Sequence, residues 1–255
     1  MDTDGINARS GSLEAKIARS AKDIDGALAL RYEVFNLELA EGLPASRDSG
    51  RDRDEYDDYC DHLIVVDHER DGAVVGTYRL IRGDVAASHG GFYSETEFEL
   101  DCLGGVLPRA VELGRSCVHR DYRGGQALRL LWVGISRYML AHGSRYLIGC
   151  GSVPGLDPDL ASDLHAYLRD KGALTPPELT VRPRPAFSMD GFDQDRQLAE
   201  PRDAARKLPV LIKGYVRMGS KVSGRPAADR EFGTTDFFVM LDRDRVLDSV
   251  ARRYD

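Results

Sequence analysis

The stretch VELGRSCVHRDYRGGQALRLLW, residues 111–132, places an acid, several arginines and a glycine pair at the join between a strand-like and a helix-like segment. Gly124 and Gly125 let the backbone approach a ligand closely, and a helix that starts after them points free N–H groups at the same place. Such a join favours phosphate oxygens, with Arg120 or Arg123 adding charge, so a diphosphate or phosphopantetheine would suit it. A plain Gly-Gly turn is the bland alternative. Two charge asymmetries accompany it. Residues 46–61, SRDSGRDRDEYDDYCD, hold seven acids against three arginines, and residues 201–225 hold seven basic residues against Asp203 alone. No metal-ligand cluster, nucleotide P-loop or dinucleotide fingerprint is present, so neither metal nor bound cofactor is expected. Cys60, Cys102, Cys117 and Cys150 form no CxxC pair and are read as small buried hydrophobes. His62 and His119 have no nucleophile beside them in a recognisable motif and are read as structural.

These residues need a scaffold, and the chain is long enough to build one. Its 255 residues are 42% hydrophobic and 30% charged, a globular balance that excludes general disorder. The net charge of −7 argues against a broad nucleic-acid surface. The longest apolar runs, near HLIVVD and LPVLI, fall far short of the roughly 20 residues that cross a bilayer. Residues 1–12 lack the pattern of a secretory signal and read as a mobile tail, which places the protein in the cytoplasm.

The hydrophobic period alternates between helix and strand without a linker or repeat, which predicts one α/β domain over residues 13–255. Ala27, Leu30, Val34 and Leu37 mark the core face of a helix over 24–40, and a loop follows Pro44. HLIVVD and AVVGTYRLI, joined through an Asp-Gly turn, predict an antiparallel pair. Residues 109–118 and 145–153 read as further strands. Leu128, Leu131, Ile135 and Met139 give the core face of a helix over 126–141, and a helix over 157–172 has its proline early and glycine late. A short helix at PVLIKGYVRMG and a strand at FGTTDFFVML close the pattern.

V-x-x-x-Y-R-G-G before a helix resembles the acyl-thioester motif of the GNAT acyltransferases, with Arg123 where the motif's first glycine is usual. More widely, LRYEVFNLEL, DYCDHLIVVD, VVGTYRLIR, FYSETEFEL, ELGRSCVHRDYRGG, LLWVGISRYM, LPVLIKGYVRMG and FGTTDFFVML, across residues 28–245, resemble the ornithine lipid N-acyltransferases, a hemolysin-like branch. That branch is related to acyl-homoserine lactone synthases and N-acyl amino acid synthases. The resemblance implies a GNAT-like α+β fold with a central mixed, mostly antiparallel sheet flanked by helices. From the lactone synthases it carries R-x-x-x-F onto Arg31 and Phe35, D-x-x-D onto Asp58 and Asp61, a strand arginine onto Arg79, and E-x-x-R onto Glu112 and Arg115. Their tryptophan after R-x-x-x-F has no counterpart, since Trp132 is the only one in the chain, which counts against lactone formation.

The implied reaction moves a 3-hydroxy fatty acyl group from the phosphopantetheine of acyl carrier protein to the α-amino group of ornithine, giving a lyso-lipid. The attacking amine must lose a proton, and Glu112 is the base the resemblance offers. Asp58 and Asp61 would hold the substrate amines, with Arg31, Arg79 and Arg115 organising those acids or meeting the substrate carboxylate. Val118, Arg120, Arg123, Gly124 and Gly125 would hold the acyl-pantetheine, with Phe35 at the acyl entrance. Glu112 and Arg115 are three apart, on opposite faces of a regular strand unless a bulge intervenes. Lys207, Lys213, Arg217, Lys221 and Arg225 form a basic patch suited to an acidic carrier protein, or simply a solvated face. The amphipathic segment 208–218 is an alternative peripheral contact with the inner face of the membrane. Another amino acid or amine as acceptor, or acyl binding without transfer, are the competing functions.

Overall fold

The computed structural model describes residues 4–43 and 45–245. In chain order the strands are β1 (Ala8–Ser10), β2 (Leu13–Ile17), β3 (Asp61–Asp67), β4 (Ala73–Arg82), β5 (Phe98–Glu99), β6 (Ala110–Val118), β7 (Tyr146–Pro154), β8 (Arg182–Pro183), β9 (Lys221–Asp229) and β10 (Thr234–Asp242). The α-helices are α1 (Ala21–Arg31), α2 (Ser46–Ser49), α3 (Gly83–Ser88), α4 (Ser94–Glu97), α5 (Gln126–Ala141), α6 (Pro158–Asp170), α7 (Pro201–Lys207) and α8 (Val210–Arg217). Two compact units divide them. The first takes the described residues up to Gly90 together with Val111–Ser144, and the second takes Gly91–Ala110 with the described residues from Arg145 on.

In the first unit β1, β2, β3, β4 and β6 pair antiparallel in that order. Of the residues expected as a mobile tail, 1–3 lie outside the described residues and the rest join this unit: Ile6 is fully buried and Ala8–Ser10 pairs with Leu13–Ala15 at the sheet's edge. The β3–β4 connection, residues 68–72, turns through His68–Arg70 and closes on the expected Asp-Gly, with Asp71 and Gly72 both at positive φ. Ser20 starts α1 by accepting a hydrogen bond from the Asp23 N–H. That helix does not run straight to residue 40; it widens into a π-helical turn over Tyr32–Glu38. Ala27, Leu30 and Val34 are buried as expected, but Leu37 is 66% exposed, because the wider turn rotates it off the core face. In α5, Leu131, Ile135 and Met139 pack inward while Leu128 sits at the margin, 36% exposed. A Cβ on Gly134 would lie 2.7 Å from the Leu63 side chain, so glycine sets how closely α5 approaches β3.

In the second unit β7, β10 and β9 pair antiparallel, and β5 pairs with β8. Its core joins Leu164 and Leu168 of α6, Ala204 of α7 and Ile212 of α8 to Val153, Val222, Phe237 and Val239 of the strands. Asp157 caps α6, Pro158 opens it and Gly172 leaves it at positive φ, as the sequence predicts. Strand β9 falls in the stretch whose charge predicts a basic surface, and most of it is buried instead. Among the described residues no helix is long and apolar enough to cross a membrane.

Candidate active site

Three arginines and three aspartates of the first unit meet in one buried knot. Arg31, the last residue of α1, is fully buried. Its Nε donates to Asp52 Oδ1 at 2.8 Å, and its two terminal nitrogens donate to the two oxygens of Asp57 at 2.7 and 3.0 Å. Arg79 of β4, 2% exposed, donates to Asp54 Oδ1 and lies 3.7 Å from Asp57 Oδ1. Arg115 of β6 lies 3.3 Å from Asp54 and 3.6 Å from Asp52. Local geometry sets the acids: Asp54 accepts from the Tyr56 N–H, and Asp57 reaches back to accept from the Asp54 N–H at 2.9 Å, a reciprocal cap on the turn Glu55–Asp58.

Burial alone would raise the Asp57 carboxyl, but hydrogen bonds from Arg31 and the charges of Arg31 and Arg79 bring it down to about 2. The same contest at Asp54, burial against Arg79, also ends below the ordinary range. Burial, joined by the charges of Arg31 and Arg79, lowers the neighbouring His62 to about 4 against the opposing pull of Asp57. His62 is therefore neutral at neutral pH. Burial, with Asp57 beside it, pushes the Cys60 thiol up to about 12, which removes it as a nucleophile.

Glu112 of β6 is 2% exposed and shares a strand face with Arg79, since Arg79 pairs with Gly114 and Ile81 with Glu112. Burial first, then Tyr59 and the charge of Glu112, push the Tyr56 phenol up to about 12, and the Tyr56 ring lies under the Arg79 guanidinium at 5.1 Å. A bulge resolves the parity problem between Glu112 and Arg115. Between the pairs Thr77–Cys117 and Arg79–Gly114 strand β6 carries one extra residue, and Arg115 has φ 47°. The bulge turns Arg115 back to the face of Glu112 and Arg79, where both arginines reach Asp54.

Two of the acids inferred from the lactone synthases lie elsewhere. Asp58 is 63% exposed and pairs with Arg53 at the surface. Asp61 accepts from Tyr138 Oη at 2.6 Å and pairs with Arg82 at 3.2 Å. The stretch contains two D-x-x-D spacings, and the arginine knot takes the earlier one, Asp54 and Asp57, with Asp52. The sequence signal that separates them is the capping pattern of Asp54, because a reciprocal cap fixes where both carboxylates point.

At the glycine join, β6 ends at Val118, Gly125 has φ 95° and α5 begins at Gln126. Arg123 is engaged by both oxygens of Glu38, at 2.5 and 2.9 Å, and donates from Nε to the Val118 carbonyl. A cavity of about 420 Å³ adjoins the join, lined by Ser10, Gly124, Gln126, Arg129, Leu130 and Val133. Arg120 is exposed there. Phe35 is half-buried and packs on the cluster of Leu30, Val34 and Cys117. The basic residues of 201–225 spread over three elements: Lys207 in α7, Lys213 and Arg217 in α8, Lys221 and Arg225 in β9. Lys213 donates to the Arg206 carbonyl, Lys221 to that of Gly172, and Arg225 covers the Phe192 ring. Of the cysteines, only Cys117 is fully inside; Cys102 is exposed, and Cys60 and Cys150 are partly covered.

Residues 30–133 match the acetyltransferase (GNAT) domain family. The L-ornithine N(alpha)-acyltransferase of Rhizobium meliloti is 41% identical over 92% of this chain and 82% of its own length. The chain belongs to the L-ornithine N(alpha)-acyltransferase family. The proteins of that name from Agrobacterium fabrum and Rhodobacter capsulatus are each 38% identical, over 100% and 91% of this chain and 87% and 90% of their own lengths. Among solved structures, the AHL synthase LasI has a TM-score of 0.51 at 14% identity, covering 91% of this chain and 90% of its own. FeeM, an N-acyl amino acid synthase from uncultured soil microbes, has a TM-score of 0.50 at 9% identity, with 92% of each chain covered. These two share the fold: a mostly antiparallel sheet flanked by helices, as the sequence predicts. The chain is thus an acyltransferase of the GNAT type.

Proposed function

We propose that this protein transfers a 3-hydroxy fatty acyl group from the phosphopantetheine thioester of acyl carrier protein to the α-amino group of ornithine, giving a lyso-ornithine lipid. The observation that carries the mechanism is Glu112: a buried carboxylate on a bulged strand, beside Tyr56 and on the face of Arg79. The acceptor amine is protonated near neutral pH and attacks only as the free base. Glu112, directly or through water, takes that proton; the nitrogen then adds to the thioester carbonyl. The adduct nitrogen gives a second proton to water, and collapse then forms the amide and expels the thiol sulfur, which takes the proton held by Glu112.

Backbone N–H groups near Val118 stabilise the oxyanion. The start of α5 with Gly124, Gly125 and Arg120 receives the phosphate of the arm, and Arg123 joins them once the phosphate takes the place of Glu38. Arg31, Arg79, Arg115 and their three aspartates are charge-balanced, so their role is to fix β4 and β6, and with them Glu112, rather than to offer net charge to a substrate. Ornithine is favoured as acceptor by the names of the relatives.

For the donor, the exposed face of α8 sets Val210, 81% exposed, beside Lys213 and Arg217. That is apolar contact flanked by positive charge, the complement of an acidic carrier. The test is mass spectrometry of products from pure protein, a 3-hydroxyacyl carrier protein and a panel of amino acids, repeated with Glu112→Gln. Nα-acyl ornithine that falls about 100-fold or more in the variant is expected. Acylation of a different amino acid would replace the acceptor, and no product with any of them would reduce the protein to an acyl-binding role.

A further inference from the structure

The second unit holds acids that the mechanism above does not use. Glu97, at the end of α4, is fully buried, and Asp236 of β10 is 4% exposed. A carboxylate oxygen of each and Cys150 Sγ of β7 lie within 4.8 Å of one another. The Cys150 thiol donates to Glu97 Oε2 at 3.7 Å, and Ser94 Oγ lies 3.5 Å from the same sulfur. Asp236 has Ser152, Thr234 and Glu97 as hydrogen-bond partners, yet its Oδ1 has none among the described residues. Burial, with the charge of Asp229 adding to it, raises the Asp236 carboxyl to about 6. An acid this deep with an oxygen left over is costly to fold unless something arrives to use it.

The ligand chemistry follows from protons and spacing. Two buried carboxyl groups that share a hydrogen bond hold a proton between them, because two bare carboxylates would repel. A dication answers that repulsion and takes the spare oxygen as well. Zinc lies about 2.3 Å from sulfur and about 2.0 Å from a carboxylate oxygen, which at a tetrahedral angle sets sulfur and oxygen about 3.5 Å apart. The 3.7 Å from Cys150 Sγ to Glu97 Oε2 is close to that spacing. Charge balances too. With the thiol and one acid protonated the cluster carries one negative charge, and zinc that displaces both protons meets three anions and leaves the total unchanged. The sulfur favours zinc over magnesium or calcium, which take oxygen ligands. Asp57, Cys60 and His62 of the first unit are similarly close, but there Arg31 already takes both Asp57 oxygens.

We propose that Cys150, Glu97 and Asp236 bind one zinc ion, in a site built wholly within the second unit. Ser94 Oγ or a water completes four ligands. The ion ties α4 to β7 and β10, and because the three ligands are scattered along the unfolded chain, it binds the folded state and stabilises it.

Full-length protein stripped with a chelator is titrated calorimetrically with zinc, and spectroscopically with cobalt(II), whose bond to a thiolate gives a sulfur-to-metal charge-transfer band. One ion per chain and the cobalt band are expected, with a thermal midpoint raised by about 5 °C or more at about 100-fold excess over Kd. Cys150→Ser, a conservative change at a partly exposed position, should weaken zinc at least about 100-fold and abolish the band, while Cys60→Ser keeps both. Asp236→Asn should melt no lower than the native protein without metal yet gain nothing from zinc, which separates lost ligation from lost folding. Absence of stoichiometric binding overturns the proposal, as does a band or midpoint rise that persists in Cys150→Ser. None of these readouts depends on acyl transfer, so the site and the proposed function stand or fall separately.

Discussion

At the residue scale, the arginine knot makes sharply different demands on neighbouring aspartates. Asp57 neutralises Arg31 at 1% side-chain exposure, so Asp57→Asn leaves a buried guanidinium short of a charge and should cost about 3–5 kcal/mol in a denaturant titration. Asp58→Asn, one residue on and 63% exposed, should leave the midpoint unchanged. An equal effect of the two would place the knot wrongly. His62 gives a pH signature. Its folded value, about 4, lies below the ordinary 6.5, so between these limits the unfolded chain binds the proton that the folded chain refuses. Stability therefore falls as pH drops from about 6.5 to 4, by roughly 3 kcal/mol from the size of that displacement, and His62→Gln should flatten this limb. Asp57 acts lower: its contribution is full above its ordinary 3.8 and is lost as pH falls through about 2. The sequence shows that residues 46–61 are acidic, but not which acids go inward, because that depends on a reciprocal cap and on arginines 20 to 60 residues away along the chain.

At the element scale, small departures from regular geometry aim the chemistry. The π-helical turn after α1 brings Glu38 onto Arg123 at the glycine join, and the bulge in β6 returns Arg115 to the face of Glu112. Hydrophobic spacing finds the elements but does not place either departure, since one extra residue shifts the phase after it without marking where it enters. Close packing offers a test. Gly134→Val would drive carbon into Leu63 where even a Cβ is 2.7 Å away, and should destabilise by about 1–3 kcal/mol in thermal or chemical unfolding. Unchanged stability would mean that α5 lies farther from β3. Strand β9 is not legible in the sequence, because Lys221 and Arg225 read as surface charge and Gly224 and Pro226 break the strand pattern; burial of Val222, Ala227 and Ala228 comes only from the fold.

At the scale of the whole molecule, charge is distributed by purpose. In the first unit the buried acids are matched by buried arginines, while α8 presents Arg217 outward beside Val210. A Lys213→Glu/Arg217→Glu double variant should slow transfer from the carrier-protein thioester about 10-fold and leave transfer from a free pantetheine thioester within about 2-fold, an effect that shrinks with added salt. Equal loss with both donors would remove the docking face.

The sequence by itself determined the order of the main strands and helices, the glycine join before α5 and the family, because these reside in local spacing and in residue strings that survive 38–41% identity. Tertiary structure decided which D-x-x-D enters the knot, how the bulge orients Arg115, and that residues from α4, β7 and β10 meet as an acidic cluster. Each depends on residues far apart in sequence, which local spacing does not pair, so folding alone brings them together.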